Sequence, residues 1–312
     1  MVKLMDNLDS TREDPDMQRP VAQLFGLIVA LGIGVTPYAC RHLNDESSAE
    51  KIVRGQVVDP ADPVASYTVS IMDPDPAIGQ YCTGVVLAKD IILSAAHCFN
   101  DKTRRSYILF SPAYNAKLSN KQQPLFKIRR LAIHAQYSQD KGELYDKKIL
   151  TADRVEQLVS PGKPLYDLAL AYLDEKIPDS YEPAPLAGGS IDLTNGLITT
   201  AGYGCTTTNC KGRSNILKKV PMRYVKTYTD ASMVVLLAGS KHGSCTGDSG
   251  GPDFINQNGA LRVFALVSTG PESCEAGLSV DTLIEPYRGW IEQAMSGVRS
   301  GRKASIYTLT EY

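Results

Sequence analysis

The sequence predicts an all-β protein. From Ile52 onward, Gly, Pro, Asn and Asp separate short apolar runs that are rich in β-branched residues. Runs of this length are typical of strands in a sandwich or barrel. There is no internal repeat and no alternation of strands with long helices, and 43% of the 312 residues are hydrophobic, enough for a sizeable core. The runs are YTVSI, GVVLA, DIILS, YDLALAYL, GLITTAGYG and LRVFALVS.

One helix is expected near the C-terminus. Residues 283–295 (LIEPYRGWIEQAM) place Trp290 and Ile291 on one apolar face. The segment after Ser296, GVRSGRKASIYTLTEY, has no clear hydrophobic period. We therefore predict a C-terminal tail over residues 298–312.

The first 40 residues are predicted to form a leader. Residues 21–40 carry no formal charge, and their Leu-, Ile- and Val-rich centre spans residues 24–35, before Pro37. That centre is shorter than the roughly 20 apolar residues of a membrane-spanning helix, so its length favours an export signal over a retained anchor. A start at Met17 would give the signal a short basic lead.

Cys40 directly follows the apolar segment. One interpretation is lipid attachment after cleavage behind Ala39; the alternative is a thiol in a discarded leader, and residues 36–39 match the lipoprotein consensus poorly. Residues 41–51 (RHLNDESSAEK) are interpreted as a linker or propeptide. We expect an extracytoplasmic protein, secreted, periplasmic or at the cell surface, that contacts a membrane only through this segment or a lipid on Cys40.

The cysteine count fits an exported protein. Seven cysteines suggest disulfides with one residue left over, Cys40. Cys205 and Cys210 resemble half of a metal site, but no second pair or nearby His completes it, so a small loop disulfide is favoured. The three plausible pairs are Cys82 with Cys98, Cys205 with Cys210, and Cys245 with Cys274.

The charge balance excludes some partners. A formal net charge of -1 gives no reason to expect a nucleic acid or a bulk membrane surface. Between Asp101 and Asp140 there are eight basic residues and no acid, which describes a solvated face or an anion-binding exosite. Because calcium prefers acidic oxygen ligands and this region has none, we expect no metal. We also expect no cofactor. The eight are Lys102, Arg104, Arg105, Lys117, Lys121, Lys127, Arg129 and Arg130.

Three residues together suggest nucleophilic catalysis. Peptide-bond chemistry with a serine needs a hydroxyl, a base, an acid that orients the base, and donors for the oxyanion. Ser249 lies in the glycine-rich segment Gly247–Pro252, His97 ends an apolar run, and Asp167 opens another. The other histidines, His42, His134 and His242, are interpreted as structural or exposed.

These segments resemble the chymotrypsin/trypsin-like serine proteases. Ala95–Cys98, Asp167–Leu170 and Gly247–Pro252 match the signature segments in the family's order, His, Asp, Ser. The resemblance extends over residues 52–291. It implies two six-stranded antiparallel β-barrels with a C-terminal helix, a protease domain over residues 52–297, and an active site in the cleft between the barrels.

The resemblance implies a role for each site residue. Ser249 would attack the scissile carbonyl, His97 would act as general base and then acid, and Asp167 would hold the histidine tautomer. The N–H groups of Gly247 and Ser249 would form the oxyanion hole. The segment from Ser268 to Gly270 would pair with the substrate backbone.

The resemblance also implies activation by proteolysis. Cleavage after Lys51 would free the amino group of Ile52, which would pair with Asp248 and order the oxyanion turn. Arg54 replaces the family's usual glycine near this junction. The alternative is a plain Lys–Ile junction.

Gly243 stands where trypsin-like members carry the Asp of the specificity pocket. Without that carboxylate, burying a Lys or Arg side chain of the substrate is costly. With Gly270 and Ser279 as walls, we expect apolar or aromatic side chains before the cut, and therefore a separate activating protease for Lys51. Asp281 or Glu272 would restore a basic preference if either reached the pocket.

The sequence therefore predicts a serine endopeptidase acting on polypeptides and made as a zymogen. The alternative is a non-catalytic relative that uses the same scaffold for binding. An insertion over residues 138–166 is interpreted as a tolerated surface loop, or as a segment that restricts access or binds a partner.

Overall fold

The structure is a computed structural model of the chain. It describes residues 55–75, 77–115, 117–118, 122–137, 166–207, 210, 215–228, 232–239, 242–271 and 273–312. Several predictions therefore lie outside the described residues. They concern the leader with Cys40, His42, the junction at Lys51 and Ile52, Glu272, and the insertion up to residue 165.

Fourteen strands and two helices form the described part of the chain. The helices are α1 (Pro63–Tyr67) and α2 (Arg288–Ser300). The first seven strands are β1 (Gln56–Val57), β2 (Thr68–Met72), β3 (Gln80–Ala88), β4 (Ile91–Ser94), β5 (Tyr107–Leu109), β6 (Leu125–His134) and β7 (Ala169–Leu173). The others are β8 (Ile198–Gly202), β9 (Lys218–Thr227), β10 (Met233–Leu237), β11 (Pro252–Gln257), β12 (Ala260–Thr269), β13 (Leu278–Leu283) and β14 (Tyr307–Glu311).

The strands form two closed antiparallel barrels, as predicted. Strands β2 to β7 form the first barrel, which closes through the pairing of β6 with β7. Strands β8 to β13 form the second, which closes through β8 and β9. Each barrel buries the side chains of its apolar runs, so that β2, β4 and β10 are buried along their whole length. Closure leaves no unpaired edge inside either six-stranded ring.

The predicted C-terminal helix is confirmed, with shifted bounds. It begins at Arg288, because Glu285–Tyr287 forms a 3-10 turn containing Pro286, and it ends at Ser300, before the capping residue Gly301, whose φ of 69° is left-handed. Beyond it, β14 pairs with β6 from Tyr307 opposite His134 to Glu311 opposite Arg130. The segment predicted as a tail thus adds a strand to the first barrel.

The three predicted disulfides are present. They join Cys82 to Cys98, Cys205 to Cys210, and Cys245 to Cys274. The sulfurs of Cys82 and Cys98 and a ring nitrogen of His97 lie within 4.8 Å of one another, but the disulfide leaves no thiolate there to bind a metal. Among the described residues, no helix is long and apolar enough to cross a membrane.

Candidate active site

His97 and Asp167 meet where two paired strands end. Strand β4 pairs with β7, with Ser94 opposite Ala169, so the residues after β4 and before β7 are neighbours. Asp167 Oδ2 lies 2.7 Å from His97 Nδ1, and Asp167 Oδ1 accepts the backbone N–H of His97 at 2.8 Å. The carboxylate is fully buried, whereas the His97 side chain is 19% exposed. Asp167 therefore orients the ring, and Nε2 is the nitrogen left to accept a proton from a nucleophile.

Ser268 makes a contact that the sequence did not predict. Its Oγ donates to Asp167 Oδ2 at 2.6 Å, and the residue is 3% exposed. From the sequence, Ser268 was expected to act only through its main chain, which would pair with the substrate backbone. No sequence signal indicates this bond, because the two residues are 101 positions apart and are brought together by the packing of the barrels.

Ser249 is connected to the strand that lies beside His97. The carbonyl of Ser249 accepts the backbone N–H of Thr83 in β3 at 2.9 Å. Cys82 precedes Thr83 and is bonded to Cys98, the residue after His97. A disulfide and a backbone hydrogen bond thus hold the turn of the second barrel against the histidine segment of the first.

The backbone of this turn presents two donors. Within the part of the chain that the structure describes, the N–H groups of Gly247 and Ser249 have no protein acceptor, whereas the N–H of Asp248 bonds to Cys245. The Gly247 carbonyl accepts from Gln80 Nε2 and Thr83 Oγ1, each at 2.9 Å. These two side chains therefore hold the turn by the Gly247 carbonyl, and the N–H groups of Gly247 and Ser249 stay available to bind a developing oxyanion.

Asp248 is a fully buried carboxyl next to the turn. Oδ1 accepts from the backbone N–H of Gly204 at 2.7 Å, and Oδ2 accepts from that of Cys245 at 2.8 Å. Burial raises the pKa of Asp248 to about 7, while the two N–H donors and the charge of Lys218 act in the opposite direction. The ionised form of the Asp248 carboxyl is therefore stabilised by its two N–H donors and by the charge of Lys218.

Gly243 has no room for any side chain. Its φ is 148°, in the region that favours glycine, and a Cβ atom there would lie 2.9 Å from the Cα of Gly277. Gly270, the other predicted glycine of the pocket, is half-buried just after β12. The lack of an acid at position 243 is thus a consequence of packing as well as of residue type.

Ser279 is fully buried and belongs to a polar network. It accepts a hydrogen bond from the Oγ of Ser244 at 3.0 Å and donates its own hydroxyl to Asp281 Oδ1 at 2.5 Å. Asp281 also accepts from the backbone N–H of Ser268 at 3.4 Å. Oδ1 of Asp281 therefore already accepts two hydrogen bonds, one from the Ser279 hydroxyl and one from the Ser268 N–H.

Asp281 has a second acid beside it, Asp253. Both are fully buried, and the hydroxyl of Thr200 donates to Asp253. Burial raises the pKa of each carboxyl, and the neighbouring charge of Asp253 raises that of Asp281 further. Burial and the neighbouring carboxyl therefore both disfavour the ionised form of Asp281. Sequence reasoning named Asp281 but missed Asp253, whose only signal is an acid inside the apolar strand PDFIN.

Two further predictions concern residues away from this site. His134 is 8% exposed, and its ring stacks on Tyr166 at 4.7 Å, as a structural histidine would. Four of the basic residues line a groove of about 600 Å³ whose rim also carries Asp174 and Glu311. The anion-binding exosite stays a prediction, because the groove is of mixed charge. The four are Lys102, Arg104, Arg105 and Lys127.

Similarity to known proteins was found over most of the chain. Residues 52–291 match the model of the trypsin family. The chain is 26% identical to granzyme M of Rattus norvegicus, over 73% of this chain and 84% of that protein. It is 25% identical to chymotrypsin of Phaedon cochleariae, over 78% and 81%. It is also 25% identical to complement factor I of Rattus norvegicus over 89% of this chain, but it spans only 43% of that relative's length.

Proposed function

Because this chain belongs to the trypsin family, we propose that it is a serine endopeptidase that uses His97, Asp167 and Ser249. The observation that carries the proposal is the 2.7 Å contact between His97 Nδ1 and Asp167 Oδ2, beside a turn that contains Ser249. An oriented histidine next to a serine turn is the arrangement that activates a hydroxyl.

Each residue has a defined step in this mechanism. His97 Nε2 takes the proton of Ser249 as the hydroxyl attacks the carbonyl carbon, and later gives it to the leaving amine. The buried Asp167 carboxylate stabilises the imidazolium that forms in between. The N–H groups of Gly247 and Ser249 bind the oxyanion, and a donor of this kind contributes about 10²- to 10³-fold in rate. The extended main chain from Ser268 to Gly270 pairs with the substrate as an added strand.

The proposed preference before the cut is for medium to large apolar or aromatic side chains. Gly243 carries no carboxylate and has no room for one. Asp281 is fully buried, accepts the hydroxyl of Ser279, and has Asp253 beside it, so it is not a free counter-ion for Lys or Arg. A buried cation without such a counter-ion is strongly disfavoured.

Activation is proposed to follow cleavage after Lys51, with the new amino group of Ile52 directed to Asp248. The support for this step is Asp248 itself, a buried carboxyl whose pKa is raised by burial. If the pocket rejects Lys, a second, trypsin-like protease makes this cut. The three disulfides support a site of action outside the cytoplasm, with the leader and Cys40 as the candidate routes of export and attachment.

Labelling with a fluorophosphonate tests the proposal directly. The full chain is treated before and after cleavage behind Lys51, and we expect covalent label on the cleaved protein. Ser249→Ala should abolish it. Ser70→Ala, at a buried serine of β2, should retain it. Absence of label on protein with Ile52 as its verified N-terminus would favour the alternative, a non-catalytic binding protein.

A panel of peptides that differ only in the residue before the cut tests the specificity. Fastest hydrolysis after Phe, Tyr or Leu would support the apolar pocket. Fastest hydrolysis after Lys or Arg would contradict it and assign the preference to the Asp253 and Asp281 pair.

A further inference from the structure

Lys218 is a lysine whose side chain is almost completely buried. It is the first residue of β9 and is 1% exposed. Lysine is rarely buried unless its charge has a partner, because removing an ammonium from water costs several kcal/mol. Its neighbour Lys219 is different, since that side chain is 28% exposed and pairs with Asp62.

The strand register places Lys218 beside Asp248. Lys218 lies directly opposite Gly202 in the antiparallel pair of β9 and β8. Residues opposite each other in such a pair point to the same face of the sheet. A Cβ atom on Gly202 would lie 2.2 Å from Asp248 Oδ1, so the Asp248 carboxyl occupies the space on that face. The Lys218 side chain therefore leaves its strand on the face that the Asp248 carboxyl occupies.

The electrostatics agree with this placement. Lys218 is the charged side chain that lowers the pKa of Asp248, against the effect of burial. The remaining partners of the Asp248 carboxylate are two backbone N–H groups, those of Gly204 and Cys245. Two amide donors satisfy the hydrogen bonding of the Asp248 carboxylate, and the charge of Lys218 offsets part of the cost of burying it.

We propose that Lys218 is a positioning residue that holds Asp248, and with it the oxyanion turn, in catalytic form within the uncleaved chain. Asp248 stands between Gly247 and Ser249, the two residues whose N–H groups face the oxyanion, so fixing its side chain fixes both donors. The uncleaved protein then has a basal activity of its own, and cleavage after Lys51 raises it because the Ile52 amine adds a second positive charge at the same carboxylate. This inference rests on the proposed peptidase function.

The test uses two changes in the full chain. Lys51→Gln removes the basic residue at the junction, and mass spectrometry verifies that the protein stays uncleaved. Lys218→Met removes the ammonium and keeps an unbranched apolar side chain of similar length. Lys219→Met is the matched control, because Lys219 is the next residue of the same strand and lies on the opposite face. Initial rates on a peptide ester give kcat and KM for each protein.

We expect Lys51→Gln to hydrolyse the ester and to take up the fluorophosphonate label. Adding Lys218→Met should lower kcat by about 100-fold, the effect of losing an oxyanion donor, with KM changed much less. Adding Lys219→Met should leave both constants within about twofold.

A rescue experiment separates charge compensation from a merely structural role. The Lys218→Met protein with Lys51 intact is cut after Lys51 by a lysine-specific protease, and its N-terminus is sequenced. If Lys218 acts through its charge, the Ile52 amine should restore kcat to within about tenfold of the cleaved wild type. Cleaved Lys218→Met that stays as inactive as the uncut double variant would overturn the proposal.

Two results distinguish this inference from the proposed function. An inactive Lys51→Gln protein together with an active cleaved wild type would overturn the role of Lys218 and leave the peptidase function standing. An inactive cleaved wild type would overturn the peptidase function itself. If Lys218→Met fails to fold, Lys218→Arg, which keeps the charge, should retain the activity of uncut Lys51→Gln. An inactive Lys51→Gln protein beside an active cleaved wild type would still reject the inference, even if neither Lys218→Met nor Lys218→Arg folds.

Discussion

The Oγ of Ser268 donates a hydrogen bond to Asp167 Oδ2 at 2.6 Å, and the same oxygen lies 2.7 Å from Nδ1 of His97. With the backbone N–H of His97 on Oδ1, three donors surround a carboxylate that is fully buried. A buried carboxylate is stable only when its oxygens are satisfied in this way. Ser268 thus connects the strand proposed to bind substrate with the acid proposed to orient the base.

Ser268→Ala should lower kcat/KM by about tenfold. A hydrogen bond to a charged group is worth about 1.5–3 kcal/mol, and its loss leaves the Asp167 carboxylate less well held, so the imidazolium is less stabilised. The measurement is steady-state kinetics on a peptide ester.

Ser70→Ala is the control for Ser268→Ala, since Ser70 is a buried serine on β2 in the first barrel. Equal rates for Ser268→Ala and wild type would show that the hydroxyl has no part in holding Asp167.

Gly243→Asp should destabilise the protein without creating cleavage after Lys or Arg. The new Cβ would lie 2.9 Å from the Cα of Gly277, and the φ of 148° is unfavourable for any side chain. We expect a fall in Tm, measured by differential scanning calorimetry. On a panel of peptides, the rate of hydrolysis after Lys or Arg should not increase.

The control for Gly243→Asp is Gly259→Asp. Gly259 also has positive φ, at 77°, but no atom lies within 4 Å of its added Cβ. Gly259→Asp has a left-handed backbone but no clash, so a much smaller fall in Tm for this variant would assign the larger effect of Gly243→Asp to the φ of 148° and the contact with Gly277. A Gly243→Asp enzyme of normal stability that prefers Arg would contradict this account.

Tyr307→Ala should lower the free energy of unfolding by about 3 kcal/mol, the usual cost of truncating a buried aromatic side chain. Tyr307 is 5% exposed, donates its hydroxyl to the Arg302 carbonyl, and packs closely on Gly297 of α2. Urea denaturation measures the change.

Thr310→Ala, on the exposed face of β14, is the matched control for Tyr307→Ala and should change stability by less than about 0.5 kcal/mol. A similar small effect for both variants would mean that β14 does not contribute to the fold.

His134 should make the fold less stable in acid. Burial lowers its pKa from 6.5 to about 4, so between these values the unfolded chain binds more protons than the folded one. Stability is therefore lost as the pH falls from about 6.5 toward 4, by on the order of 3 kcal/mol in total. Unfolding free energies measured across this range should show the slope.

His134→Gln removes the titrating group and keeps a side-chain oxygen that can accept the Gln136 N–H now bonded to Nδ1. The variant should show a flatter dependence on pH between 4 and 6.5 than the wild type. Identical slopes in the two proteins would assign the acid sensitivity to other groups.

Much of the fold and part of the site could be predicted because the signals are local. Apolar runs between turn residues indicated the strands, and the segments around His97, Asp167 and Ser249 indicated the family. The three disulfide pairs were also predicted correctly. The tail was not, since β14 buries only Tyr307 and partly buries Leu309, too few residues to give a period.

The sequence by itself determined the family, the barrel architecture and the residue types of the proposed catalytic group. Only the tertiary structure decided that Ser268 bonds to Asp167, that Asp253 lies beside Asp281, and that Lys218 is buried on the face of the sheet that Asp248 occupies. The physical reason is that strand register and barrel closure bring together residues far apart in the chain. A lysine or serine in a strand looks the same in sequence whether it faces water or a buried carboxylate, and only the register tells them apart.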